Sequence, residues 1–200
     1  MEPVKNVLLD LGGVLLNLSF ARTQSMFANL GLVDFDQHFT LMRYTPLFEE
    51  LEVGALDQRE FLGKFRQQTG LQAEDQQIID AWNGMLLDFP VERIQWLSNL
   101  SDRYRVFLYS NTNAIHYDAF QEIFTKEHPG KAFDQYFEKA YYSHILGKRK
   151  PHADSFTYLL DDAGLNAAET LFIDDTLPNI EGAQAAGLQT IHLAGGLTVN

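Results

Sequence analysis

Three short apolar runs, each closing on polar residues, organise the hydrophobicity of this chain. Val7-Leu8-Leu9 runs into Asp10 and turns on Gly12-Gly13, Val106-Phe107-Leu108-Tyr109 runs into Ser110-Asn111, and Leu171-Phe172-Ile173 runs into Asp174-Asp175. Unbroken apolar runs of this length, separated by helix-period stretches, predict strands buried on both faces of a parallel sheet, so the fold class is α/β. Beyond Ser110 the pattern predicts a helix over 113–127, a strand near 139–142 and a helix from about 152 to 163. The strand ending at Asp174 follows, then a helix over 177–186 and a last strand near 190–193, with Gly164 and Gly187 placed as helix C-caps.

The stretch from Ser19 to Asp88 is far longer than one crossover and reads almost wholly as helix. Phe20, Phe27 and Leu30 share one face, Phe61, Leu62 and Phe65 another, and Ile78, Trp82, Met85 and Leu86 repeat at helical spacing. Asp57 and Glu60 form a capping-box signature, and Pro90 opens a helix carrying Ile94, Leu97 and Leu100 back to the sheet. The expected organisation is a core of residues 1–18 and 89–200 with a helical insertion over 19–88 directly after the first strand. Leaving the sheet beside Asp10, the insertion is placed to close a site there from water.

Composition narrows the function classes. An apolar fraction of 46% and 12% aromatics indicate one packed domain rather than disorder. The net charge of −12 argues against nucleic acid and anionic membranes as partners and fits a soluble protein. No apolar run is long enough to span a bilayer and the first residues lack signal-peptide character, so a cytoplasmic location is expected. The absence of cysteine removes disulfides, thiolate metal sites and a thiol nucleophile.

Parallel strands present their carboxyl ends along one edge, where open α/β sheets bind ligands. Asp10, Ser110, Asp174 and Asp175 should therefore converge, and carboxylates packed together repel unless a cation lies among them. Ser110 and Asn111 offer donors for phosphate oxygens, and Lys150, just before a helix, can clamp an oxyanion. These features point to a metal-dependent enzyme.

In this order and on these elements, Asp10-Leu11-Gly12-Gly13-Val14, Ser110-Asn111-Thr112-Asn113, Arg149-Lys150-Pro151 and Asp174-Asp175-Thr176-Leu177-Pro178-Asn179 resemble the haloacid-dehalogenase-like hydrolase superfamily. The insertion lies where that superfamily carries its C1-type cap. The strings around Ser110 and Lys150 are most similar to a branch holding the bacterial α-D-glucose-1-phosphate phosphatase and the phosphatase domain of soluble epoxide hydrolase.

The resemblance implies a Rossmann-like sheet and a small phosphorylated substrate, such as a hexose 1-phosphate. Asp10 would be the nucleophile, forming an aspartyl-phosphate that water hydrolyses. Mg²⁺ would be held by Asp10, the Gly12 carbonyl and Asp175, with Asp174 and Asn179 orienting Lys150 and the metal waters. Ser110, Asn111 and Lys150 would bind the phosphoryl group. Asn113, His116, Arg43 and Tyr44 are the expected substrate contacts.

Most phosphatases of this superfamily carry an aspartate general acid two residues after the nucleophile, and here that position is Gly12. The branch itself reads Asp-Leu-Gly there, which keeps phosphatase in front. Two other readings remain open: a 2-haloacid dehalogenase using the same ester chemistry, and a catalytically weak phosphate-binding or regulatory protein.

Overall fold

The computed structural model describes residues 2–40, 43–195 and 197–199, the side chains of Thr40, Arg43 and Tyr44 excepted. Five strands, β1 (Asn6–Leu9), β4 (Arg105–Ser110), β5 (Lys139–Tyr142), β6 (Thr170–Asp174) and β7 (Gln189–His192), form one sheet in the order β5-β4-β1-β6-β7. Every pairing in it is parallel, with Leu9 level with Leu108 on one side and Ile173 on the other. The central strand β1 is buried along its whole length, as an apolar run with no polar alternation requires.

Strand side chains alternate between faces, and the core divides accordingly. Val7, Leu9, Val106, Leu108 and Ile173 pack on one face with Ile94 and Leu97 of α6 (Val91–Leu100) and Phe120 and Phe124 of α7 (Ala114–Glu127). Leu8, Phe107, Tyr109 and Phe172 pack on the other with Phe156, Leu159 and Leu160 of α9 (Ala153–Ala163) and Ile180 and Ala183 of α10 (Leu177–Ala185). Gly164 (φ +62°) and Gly187 (φ +88°) take the left-handed conformation at the ends of α9 and α10. The predicted strand near 190–193 begins one residue earlier. A single helical turn, α8 (Ser143–Leu146), follows β5 and was not expected from the sequence pattern.

Between β1 and α6 lie α1 (Phe20–Asn29), α2 (Phe35–His38), α3 (Pro46–Glu52), α4 (Gln58–Thr69) and α5 (Asp75–Asn83). The Asp57–Glu60 capping box is present, with both reciprocal bonds made. To the almost wholly helical reading of this stretch the structure adds one antiparallel strand pair, β2 (Phe39–Thr40) and β3 (Arg43–Tyr44). Its extended backbone delivers the Phe39 ring edge-on to Trp82 at 4.8 Å and against Phe48 at 4.9 Å, packing that overrides helical periodicity.

The chain enters and leaves the insertion side by side. Asn17 N–H donates to the Asp88 carbonyl at 2.9 Å, Leu87 N–H to the Asn17 carbonyl at 3.0 Å, and Ser19 N–H to the Met85 carbonyl at 2.8 Å. The rings of Phe27, Phe35, Phe48, Phe61, Phe65 and Trp82 form a buried cluster continuous with the adjoining sheet face. Burial at roughly 1.5–3 kcal/mol per large apolar side chain fastens the insertion to the core.

Candidate active site

Because Leu9 and Ile173 stand level, Asp10 and Asp174 emerge level on neighbouring strands, and Asp10 N–H donates to the Ile173 carbonyl at 3.0 Å. Lys150 reaches between them. Its Nζ donates to Asp10 Oδ1 at 2.7 Å and to Asp174 Oδ2 at 2.8 Å. The stem is buried, with Nζ 5.4 Å from the Tyr109 ring centroid and 5.2 Å from that of Phe172. Asp174 also accepts from Thr176 N–H at 2.7 Å and from Asn179 Nδ2 at 3.2 and 3.0 Å, so both its oxygens are engaged. The more exposed Asp175 accepts from the Thr176 hydroxyl at 3.1 Å.

One ammonium thus faces three carboxylates. Burial pushes the Asp10 carboxyl up to about 7; Lys150 opposes the rise, and Asp174 and Asp175 add to it. Burial and the neighbouring Asp174 raise Asp175 as well. Burial works to lower Lys150, but Asp10 and Asp174 overcome it and hold the ammonium above its ordinary range. Oxygens of Asp10, Asp174 and Asp175 lie within 4.8 Å of one another, a hard donor set with excess negative charge that suits a divalent cation. Glycine at position 13 (φ +75°) lets the Asp175 carboxylate approach, since a Cβ there would lie 2.0 Å from Asp175 Oδ2.

Side-chain to backbone bonds fix the loops that bring these groups together. Asn111 donates through Nδ2 to the Lys150 carbonyl at 3.0 Å and accepts at Oδ1 from the Lys150 N–H at 2.9 Å. The Ser143 hydroxyl, likewise, donates to the Thr112 carbonyl and accepts from the Thr112 N–H, both at 2.8 Å. On the far side Gly182 of α10 meets the Pro151 carbonyl so closely that a Cβ would sit 2.0 Å away.

A cavity of about 280 Å³ opens on Asp10, Gly12, Asn111, Lys150 and Asp175, with Leu18, Pro151 and Pro178 as apolar wall and Arg149 beside Lys150. Ser110 is buried at the end of β4, its hydroxyl 3.5 Å from the Asn111 carbonyl, and does not itself line this cavity. Nor do Asn113 and His116. Asn113 caps α7 by accepting from His116 N–H at 3.0 Å. His116 stacks on Trp82 at 4.5 Å with Nε2 3.2 Å from the Trp82 carbonyl, and burial lowers it to about 4. The side chains of Arg43 and Tyr44 lie outside the described residues. Sequence reasoning missed Thr176, Ser143, Arg149 and Gly182; only Gly182, a glycine inside a helical pattern, carried a signal for close backbone approach.

Residues 4–187 match the family model of the haloacid dehalogenase-like hydrolases. The D-ribitol-5-phosphate phosphatase of Bacteroides thetaiotaomicron is 30% identical over 194 residues, which cover 96% of this chain and 93% of that protein. A haloacid-dehalogenase-family enzyme of the same organism, solved with magnesium and inorganic phosphate, superposes with a TM-score of 0.83 at 35% identity, covering 94% of this chain and 93% of that one. A predicted HAD-like hydrolase of Porphyromonas gingivalis gives 0.85 at 33% identity, over 94% and 90% of the two chains. A parallel sheet that gathers Asp10, Lys150, Asp174 and Asp175 at one edge accounts physically for the match, and this chain belongs to the haloacid dehalogenase-like hydrolase family.

Proposed function

We propose that the chain is a Mg²⁺-dependent phosphatase of small phosphorylated sugars and sugar alcohols, working through an aspartyl-phosphate on Asp10. The observation that carries this reading is Lys150 bound at 2.7 Å to Asp10 and 2.8 Å to Asp174, with Asp175 in the same cluster. The Asp10 carboxylate attacks phosphorus, the P–O bond to the alcohol breaks, and water then hydrolyses the acyl phosphate to return Asp10 and inorganic phosphate. Lys150 and the Asn111 backbone N–H hold the phosphoryl oxygens, and Ser110, buried at the end of β4, joins them only once its hydroxyl turns from the Asn111 carbonyl toward the cavity; the Asn111 side chain is already taken by the Lys150 backbone. Asp10, the Gly12 carbonyl and Asp175 would hold Mg²⁺, which when bound would supply positive charge to favour the ionised form of Asp10 and offset the negative charge of the phosphoryl group. Asp174, with both oxygens engaged, anchors Lys150 instead. This cation-seeking acid cluster favours a phosphatase over a dehalogenase.

The alcohol portion is neutral in this reading. Among the described residues the cations lining the cavity are Lys150 and Arg149, and both are paired with carboxylates, leaving neither to receive a second anionic group. The ribitol phosphate named for the Bacteroides relative is of this neutral polyol class. Proton delivery to the leaving alcohol falls to water or to the substrate itself: Gly12 has no side chain, and His116 is buried, held near 4 and turned to the Trp82 carbonyl. Sugar 1-phosphates, whose anomeric oxygen departs as an anion more readily, should therefore outrun primary-alcohol esters.

The test is kcat/KM for glucose 1-phosphate, glucose 6-phosphate, ribitol 5-phosphate and 2-chloropropionate, with Mg²⁺ and with chelator. Hydrolysis of phosphate esters that chelator abolishes is the expected result. A preference for the 6- or 5-phosphate overturns the leaving-group argument alone. Turnover of the haloacid without metal, and of no phosphate ester, overturns the phosphatase.

A further inference from the structure

Besides its junction at residues 17–19 and 85–88, the insertion meets the core through the end of α3. Gly54 (φ +69°) approaches α8 so closely that a Cβ would lie 2.1 Å from the His144 carbonyl oxygen. Just before it, the buried Glu52 places Oε2 3.0 Å from Nε of Arg149, whose side chain is only 10% exposed. The more exposed Glu49 stands 3.4 Å from Arg149 Nη1. Among the described residues, every ion pair between insertion and core runs through Arg149.

Arg149 is followed directly by Lys150. The backbone of Lys150 is held at both its N–H and its carbonyl by Asn111, so residue 149 directs its side chain to the insertion while residue 150 directs its own to Asp10 and Asp174. A buried ion pair contributes little net stability but fixes geometry, because a displaced partner leaves an uncompensated charge. We propose that Glu52 is a positioning residue of the active site: through Arg149 it makes the seating of α3 and the placement of Lys150 between Asp10 and Asp174 a single event. Glu52 touches no reacting atom. The inference rests on the phosphatase reading only in taking Lys150 as the group that meets the phosphoryl oxygens.

The experiment compares wild type with Glu52→Gln, which keeps shape and loses charge, and with Glu49→Gln as a control at the rim. Two readouts are taken: turnover of 4-nitrophenyl phosphate at saturating Mg²⁺, and backbone amide exchange followed by mass spectrometry. Glu52→Gln should lower kcat about tenfold or more, as small misplacements of catalytic groups do. Exchange should quicken together in residues 46–54 and 143–150 while β1, β4 and β6 stay protected. Glu49→Gln should stay within about twofold of wild type in kcat. If Glu52→Gln does not fold, Arg149→Lys decides, since it keeps a cation but not the planar fork, and the same fall in kcat with coupled exchange is expected. A kcat within twofold of wild type, exchange that quickens in 46–54 alone, or an equal effect of Glu49→Gln overturns the proposal. Wild-type protein inert toward every phosphate ester would remove the phosphatase reading, while the exchange data would still decide the coupling.

Discussion

Replacing Lys150 by Met tests the centre of the site, because it keeps the length and apolar stem of the side chain and deletes its charge. The stem lies by the Tyr109 and Phe172 rings, and the ammonium is the partner of both Asp10 and Asp174. Removing one member of a buried ion pair costs about 3–5 kcal/mol, because the remaining charge is left unpaired. Contact of the new thioether with the two rings returns about 0.3–1.5 kcal/mol. A net loss of about 2–4 kcal/mol remains, and at about 2–4 °C per kcal/mol for a chain of this size the thermal midpoint should fall by about 4–16 °C. The fall should be larger at pH 8 than at pH 5, because Asp10, already pushed up to about 7, escapes the penalty by taking a proton. Added Mg²⁺ should recover part of the midpoint but little of the rate, since loss of a preorganised charge at the phosphoryl group costs about 10²–10³ in kcat. Melts followed by circular dichroism at both pH values, with turnover of 4-nitrophenyl phosphate, measure both effects. A midpoint at pH 8 within about 1 °C of wild type, or a kcat within about tenfold, would refute the reasoning.

Asp10→Asn should abolish turnover without lowering the thermal midpoint, because burial and the carboxylates of Asp174 and Asp175 already work against the Asp10 charge; residual wild-type turnover would exclude it as nucleophile. Asp175→Ala should raise the Mg²⁺ concentration needed for half-maximal activity more than Asn179→Ala, which only removes one of the donors to Asp174; a Mg²⁺ titration showing the reverse order would reassign the two. Burial raises Glu52 from its ordinary 4.5 to about 7, so across that window the folded chain keeps a proton that the unfolded chain has released. Stability should drain as pH rises from about 4.5 to about 7, seen as a falling difference in midpoint between wild type and Glu52→Gln; a difference that grows with pH would contradict it.

The strands and the residues at their carboxyl ends were legible in the chain itself. Runs such as Val7-Leu8-Leu9, alternating with helical stretches, favour a parallel sheet, and parallel strands share one end, which is where Asp10, Asp174 and Asp175 meet. That a long, mostly helical stretch separates β1 from α6 was likewise legible in spacing and periodicity.

Which neighbour each polar group takes was decided only by the folded molecule. Nothing in the string around His116 distinguishes a histidine facing substrate from one stacked on Trp82 and neutral by burial. Asn113 follows Asn111 by two residues, yet one caps a helix and the other grips the Lys150 backbone. The strand pair of residues 39–40 and 43–44 sets the Phe39 ring against Trp82 and Phe48, partners contributed by other helices. Glu52 and Arg149, almost a hundred residues apart, carried no local sign of their pairing. Hydrophobic periodicity is a property of neighbours along the chain, so sequence reports it directly. Burial of a charge and the direction of a hydrogen bond depend on residues that only packing brings near.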